Sequence, residues 1–223
     1  MNLQGKRIVI TGANGGLGKI TTQVAKSLGA EVVLLDVRFD GESGDPQFTV
    51  DLTNLADTRA CFEKIGAFNT IFNLAGGFSM GPTVYESTDE EWDHLFNLNV
   101  KTLHNVVRAA VPKLLAAGGR SSIVNVGAIG AHKGAPNMST YVASKAAVMR
   151  MTESLSEEVK AQGINVNAIL PSVIDTAPNR AAMPDADYSQ WVTPEQLANV
   201  ACFLASDAAS GVHGALIPVA GLS

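Results

Sequence analysis

Thr11-Gly12-Ala13-Asn14-Gly15-Gly16-Leu17-Gly18 is the stretch that decides how this chain folds. Before it stands Arg7-Ile8-Val9-Ile10-Thr11, a short apolar run that reads as a buried strand. After it comes an amphipathic stretch from Leu17 to about Leu28, closed by Gly29 as a helix stop. At such a junction Gly12 permits a tight turn, Gly16 lets backbone approach a pyrophosphate, and Gly18 lets helix pack closely on strand. The helix start offers free N–H groups and the positive end of its dipole to an anion. Glycine-rich turns also occur as plain structure. The strand before and the helix after supply the context that dinucleotide binding requires. Gly12, Asn14, Gly15, Gly16, Leu17 and Gly18 are therefore candidate cofactor residues.

Outward from this loop the chain keeps alternating. Glu31–Asp36, 48–51, Thr70–Asn73, 122–126, 164–170 and 215–219 read as further strands. Leu55–Ile65 reads as a modest helix. Thr88 and Glu91 form a capping box that opens a helix running to about Ala117. A second long helix runs from Ser139 to about Gln162, and Thr193-Pro194-Glu195-Gln196 starts a last one. Strands without polar alternation imply a sheet covered on both faces. Alternation with helices implies right-handed crossovers. The expectation is an α/β fold: a doubly wound parallel sheet of Rossmann type, about seven strands, helices on both faces. Residues 1–223 read as a single dinucleotide-binding and catalytic domain. Residues 177–192 fit neither period and read as an irregular lid over a ligand.

Composition narrows the classes. The chain has 223 residues, 46% hydrophobic and only 6% aromatic, which suits close helix–sheet packing rather than disorder. The net charge of −5, with no long basic run, argues against nucleic acid or an anionic membrane as partner. No apolar run reaches membrane-spanning length and no leader precedes the first strand, so the expected location is cytoplasmic. Cys61 and Cys202 have no metal or redox spacing and read as buried reduced thiols. The four histidines show no ligand spacing, so no metal is expected.

Asp36 ends the second strand, 18 residues after Gly18. A carboxylate there accepts the hydroxyls of an adenosine ribose and repels a 2′-phosphate, which favours NAD over NADP. Arg38 could offset part of that repulsion. Asp51 and Leu52 could flank the adenine, or Asp51 could only cap the Thr53–Leu55 turn. Tyr141 and Lys145 lie four apart on one helix face. An ammonium near a phenol stabilises the phenolate and lowers a pKa that starts near 10. The pair can then move the proton that accompanies hydride transfer.

The ordered set is more specific than any of its parts. The glycine-rich loop, Asp51, Asn73-Leu74-Ala75-Gly76, Asn99-Val100-Lys101, Tyr141-x-x-x-Lys145 and Pro171-Ser172-Val173-Ile174-Asp175-Thr176 resemble the short-chain dehydrogenase/reductase family over essentially the whole chain. The resemblance implies Tyr141 as acid–base and Lys145 as its pKa-lowering, ribose-binding partner. Asn99 would hold a water in a proton relay; as a residue it could equally kink its helix or serve as a polar core Asn. Ala75 and Gly76 would line the cofactor channel, with Pro171, Ile174 and Thr176 at the carboxamide and pyrophosphate. It also implies a homodimer or homotetramer through the long helices; their extra apolar residues could equally pack within one subunit.

Two departures stand out. Leu74 replaces a second Asn. Ala128 stands 13 residues before Tyr141, where the family usually has a Ser that bonds the substrate carbonyl. Alanine has no polar group to do this. Ser139, Thr140 or Asn137 could substitute, although Ser139 could simply cap its helix. Dihydropteridine reductases share this gap, and the chain also resembles them in Asn179-Arg180, Met183-Pro184, Asp187-Tyr188 and Trp191. That resemblance implies NADH-dependent reduction of a quinonoid pterin-like acceptor. Tyr188 or Trp191 could stack on its flat ring or merely pack the lid. The alternatives are a general carbonyl or alcohol dehydrogenase-reductase and a non-catalytic NAD(H)-binding sensor.

Overall fold

The computed structural model describes residues 1–223. Seven strands form one all-parallel sheet in the order β3-β2-β1-β4-β5-β6-β7. They are β1 (Arg7–Thr11), β2 (Glu31–Asp36), β3 (Gln47–Thr49), β4 (Thr70–Asn73), β5 (Ser121–Val126), β6 (Ile164–Pro171) and β7 (Leu216–Val219). The main helices are α1 (Gly16–Ser27), α2 (Leu55–Ile65), α3 (Asp89–Phe96), α4 (Thr102–Ala117), α5 (Ser139–Val159), α6 (Ala177–Ala182) and α7 (Pro194–Ala205).

Strand alternation divides the core into two layers. Val9, Val33 and Leu35 face one side and pack with Phe62, Val106, Leu114 and Leu155 of α2, α4 and α5. Ile8, Ile10, Val32 and Leu34 face the other and pack with Ala25 of α1 and Leu197 and Ala201 of α7. Both faces are covered, which is why these strands carry no polar alternation. The order reverses between β1 and β4. In a doubly wound sheet this is the switch point, and ligands bind at the strand ends there. Thr11, Asp36, Asn73, Val126 and Pro171 all end strands on that edge.

Three local expectations need correction. The helix read as continuous from Thr88 to Ala117 is interrupted by a π-helical turn, Asn97–Lys101. A wider turn of this kind is common where a side chain must be re-aimed, and here it carries the buried Asn99. The segment after Thr176 is more regular than its composition suggested. Thr176 caps α6 by accepting from the Asn179 N–H at 3.4 Å, with Pro178 in the first turn. Ser139 is the first residue of α5 and caps nothing; Met138 occupies the cap position without a side-chain bond. The capping box at Thr88/Glu91 forms as read, and Thr193 caps α7 as read, with Gln196 closing a second box not read from the sequence.

Both cysteines are free and buried, and burial pushes their thiols up to about 11 and about 12. Such thiols are poor nucleophiles. No helix is long and apolar enough to cross a membrane.

Candidate active site

The glycine loop takes its shape from backbone contacts. Gly12 sits at φ 65, and a Cβ there would lie 2.8 Å from the Ala75 nitrogen. A Cβ on Gly18 would lie 2.2 Å from the Gly12 carbonyl oxygen, so α1 could not approach the loop. At Gly16 the demand is different: a Cβ would meet only the Thr176 methyl, at an ordinary 3.5 Å. Nothing in the protein itself therefore requires glycine at Gly16, whereas a ligand lying against the backbone would. The N-cap, Gly15, makes no side-chain cap bond, and no acidic residue occupies the first turn of α1. The loop thus fits an anionic pyrophosphate in shape and in charge. Leu17 is half-buried against the core beneath it.

Asp36 lies beside this loop. One carboxylate oxygen accepts from the Asn14 N–H at 2.9 Å and the other from the Val37 N–H at 2.8 Å. Each oxygen keeps a second lone pair for a ribose hydroxyl. Nearby, Lys19 and Asn14 hold the Asp40 carboxyl below its ordinary range. Asp51 binds its own turn: one oxygen accepts from the Thr53 N–H at 2.8 Å and from its hydroxyl at 2.7 Å. The cap of α2 is Asn54. The Leu52 side chain is 4% exposed and part of the core, which leaves its backbone to flank an adenine. Its adjacency to Asp51 in sequence could not reveal which way it turns.

Around the Tyr141–Lys145 pair the structure assembles more than the sequence showed. Lys145 is buried and its Nζ donates to the Val126 carbonyl at 3.0 Å. Burial lowers its ammonium to about 8. Tyr141 is half-buried, with Phe78 edge-on at 4.9 Å between centroids. Burial raises its phenol to about 12. This corrects the expectation of a lowered phenol: in this structure burial alone shifts it, and upward. Asn99 donates to the Gly77 carbonyl at 3.1 Å and the Ser144 hydroxyl at 3.0 Å, and accepts from the Gly77 N–H at 2.9 Å. Ser144 in turn donates to the Tyr141 carbonyl at 2.8 Å. Asn99 thus ties the strand-end turn to α5. Both its amide hydrogens are spent on protein, so a water could use only its remaining oxygen lone pair. Gly76 is fixed by the same group: a Cβ would lie 2.8 Å from Asn99 Oδ1 and 3.3 Å from Lys145 Nζ. Thr11 accepts from the Ala75 N–H at 3.1 Å, holding this turn to β1.

Ala128 is buried in an apolar cluster with Met149 and Leu170, and Tyr141 packs against it. No polar side chain stands at that position. Beside Tyr141 opens a cavity of about 210 Å³, whose wall includes Ser139 and Thr140 from α5 and Glu90 and His94 from α3. This cavity was not legible in the sequence, although the Thr88/Glu91 capping box locates the helix on one of its sides.

Thr176 meets the glycine loop at Gly16, and Ile174 packs on the core, its carbonyl accepting from Asn179 at 2.8 Å. Pro171 ends β6, buried and paired with Val219. Arg180 forms a two-pronged pair with Asp175 at 2.5 and 2.7 Å and lies over the Tyr188 ring at 4.7 Å. Tyr188 packs on Trp191 at 4.8 Å and donates to the Pro184 carbonyl at 3.0 Å. Trp191 is only 8% exposed. Of the two roles open to these aromatics, the structure gives packing within the segment.

A family described as enoyl-(acyl carrier protein) reductase matches residues 1–221. The 3-oxoacyl-(acyl-carrier-protein) reductase FabG of Thermotoga maritima is 32% identical, across 99% of this chain and 98% of its own. The chain belongs to the short-chain dehydrogenase/reductase family. Solved members superpose closely. The 3-ketoacyl-(acyl-carrier-protein) reductase of Brucella melitensis complexed with NADH has a TM-score of 0.88 at 27% identity, covering 99% of this chain and 98% of that one. A putative 2-deoxy-d-gluconate 3-dehydrogenase of Agrobacterium tumefaciens with bound NADP reaches 0.89 at 30% identity, covering 99% and 96%. This short-chain dehydrogenase/reductase is an NAD(P)-dependent oxidoreductase, which displaces the silent-sensor alternative. Its relatives bear acyl-carrier and sugar names, so they do not carry the dihydropteridine reductase resemblance.

Proposed function

We propose that the enzyme reduces a flat, quinonoid, pterin-like acceptor with NADH, and that Tyr141 gives the proton. Ala128 is the observation that carries this reading. With a methyl group packed among Met149, Leu170 and Tyr141, the site has nothing at that position to polarise a ketone. A quinonoid ring distributes its own electron demand and needs no such donor.

When bound, the nicotinamide supplies hydride. The residues of this chain do the rest. The Gly12–Gly18 loop and the start of α1 hold the pyrophosphate. Asp36 receives the adenosine ribose and disfavours a 2′-phosphate, hence NADH over NADPH. Asp51 and the backbone at Leu52 border the adenine. Ala75 and Gly76 line the channel, and Pro171, Ile174 and Thr176 hold the carboxamide end. Lys145 holds the second ribose. Tyr141, with its phenol raised to about 12, is protonated at neutral pH and so is set to donate. When that proton leaves, the Lys145 ammonium on the same helix face offsets the phenolate charge. Asn99 keeps the Gly77 turn and α5 in register. Residues 177–192 act as a lid whose internal pairing keeps it ordered. A homodimer or homotetramer in the cytoplasm belongs to the same reading.

The Ser139 and Thr140 hydroxyls beside Tyr141 favour a second reading, an ordinary carbonyl or alcohol substrate. NADH oxidation with quinonoid dihydropterin and with a panel of simple ketones separates the two, and repeating the assay with NADPH tests the cofactor preference. The pterin reading expects turnover of the dihydropterin and little of the ketones, with Ala128→Ser raising ketone turnover. Efficient ketone reduction by the unmodified enzyme contradicts it.

A further inference from the structure

The strand ends that carry the site also close over a second, smaller cavity. It lies between β1, β4 and β5 on one side and α4 and α5 on the other, and measures about 10 Å³. Eight of its ten lining residues are buried. The space is about that of one water. Its wall is polar for a core: Thr11, Asn73, Asn99, Thr102 and Asn125 all line it, and no titratable side chain does. One chain of hydrogen bonds fixes how these groups point. The Thr152 hydroxyl donates to the Val148 carbonyl at 2.8 Å, so towards Asn125 it can only accept, and it does so from Nδ2 at 2.9 Å. Asn125 therefore turns its oxygen to Asn73, where it accepts from Asn73 Nδ2 at 2.9 Å. The chain ends at Asn73 Oδ1. This oxygen is buried, and no group of the protein donates to it. Buried polar atoms are normally satisfied. Thr11, 1% exposed, has the opposite surplus: its hydroxyl accepts from the Ala75 N–H at 3.1 Å, and its own hydrogen meets no acceptor in the protein.

We infer that this cavity is a binding site for one water molecule, which donates to Asn73 Oδ1 and accepts from the Thr11 hydroxyl. The ligand has to do both, and that excludes other occupants of this size. A cation has no lone pair for Thr11, and a simple anion has no proton for Asn73. No carboxylate lines the wall to offset a cation either. The second hydrogen of the water finds oxygens in the same wall, at Thr102 and Asn99, each with a lone pair not used in the protein. Two to four such partners are what holds a buried water. The bound water joins the ends of β1 and β4 behind the Ala75–Gly77 turn. It is distinct from any water on the Tyr141–Lys145 side, since neither residue lines this cavity. The inference stands whichever acceptor the enzyme reduces.

A high-resolution crystal structure of the enzyme reads this directly. It should show one peak at about 2.5–3.0 Å from both Asn73 Oδ1 and Thr11 Oγ1. No peak there, or a peak ringed by oxygens at about 2.4 Å as a metal ion would be, overturns the inference. In solution the same water should give cross-peaks to the Val106 and Val148 methyl groups, which line the cavity, in rotating-frame spectra of the isotope-labelled enzyme. Their absence in the wild type counts against the site. Asn73→Leu removes the acceptor at nearly the same volume and leaves the Thr11 and Thr102 hydroxyls in place. The cross-peaks should be lost in that variant. Cross-peaks that persist would come from hydroxyl protons exchanging with solvent or from a water that Asn73 does not hold, and either overturns the inference. If Asn73→Leu does not fold, the crystallographic peak and the wild-type cross-peaks still decide.

Discussion

Lys145 is where a single residue has most to say. Its ordinary value is 10.5 and burial lowers it to about 8. Below about pH 8 it is charged in both the folded and the unfolded chain, and the fold carries the whole cost of burying that charge. Between about pH 8 and 10.5 the unfolded chain keeps a proton that the folded chain releases. Stability from this group therefore rises with pH there, by at most about 1.4 kcal/mol per unit. Tyr141 acts oppositely and later: from its ordinary 10.0 to about 12 the unfolded chain loses a proton that the folded phenol keeps, so stability falls. Urea midpoints of the cofactor-free protein at pH 8, 9 and 10 should rise for the wild type relative to Lys145→Met. Parallel curves would mean that Lys145 is not desolvated as described. That Tyr141 and Lys145 stand one turn apart on one helix was legible from their spacing. The direction of the phenol shift was not, because it depends on Phe78 and the apolar cluster around Ala128, which come from other elements.

At the scale of elements, the glycine loop separates two demands that the sequence presents as one motif. Gly18 serves the fold, since a side chain there would enter the Gly12 carbonyl at 2.2 Å. On the proposed reading Gly16 serves the ligand, since a side chain there meets only Thr176 at 3.5 Å and the fold does not require its absence. Gly16→Ala should melt like the wild type while its NADH affinity falls by roughly tenfold or more, the scale of one lost close contact to a charged group. Gly18→Ala should lower the melting temperature sharply or fail to fold. Equal melts for the two, or unchanged NADH titration for Gly16→Ala, would contradict this division. Elements that obey one local rule were readable: α2 begins and ends where its periodicity does, the Thr88/Glu91 capping box forms, and Thr193 caps α7. The π-helical turn at Asn97–Lys101 was readable only as the alternative of a helix kink at Asn99. Its buried Asn99 bonds Gly77 and Ser144, partners from elements distant in sequence.

For the whole molecule, the alternation of buried strands and helices was enough to give a seven-stranded parallel sheet, because continuous apolar runs occur where both faces are covered. The switch between β1 and β4 then brings the glycine loop, the Gly76 turn and Tyr141 to one edge. The cavity beside Tyr141 was not legible, since its walls come from α3 and the start of α5, which are distant in sequence. Everything assembled there serves one claim, that Tyr141 protonates an acceptor as it takes hydride from NADH. Tyr141→Phe removes only the phenol oxygen. Turnover of quinonoid dihydropterin should fall at least about a hundredfold, while NADH affinity, by fluorescence titration, should stay within about twofold. Turnover surviving at wild-type rate would contradict the account.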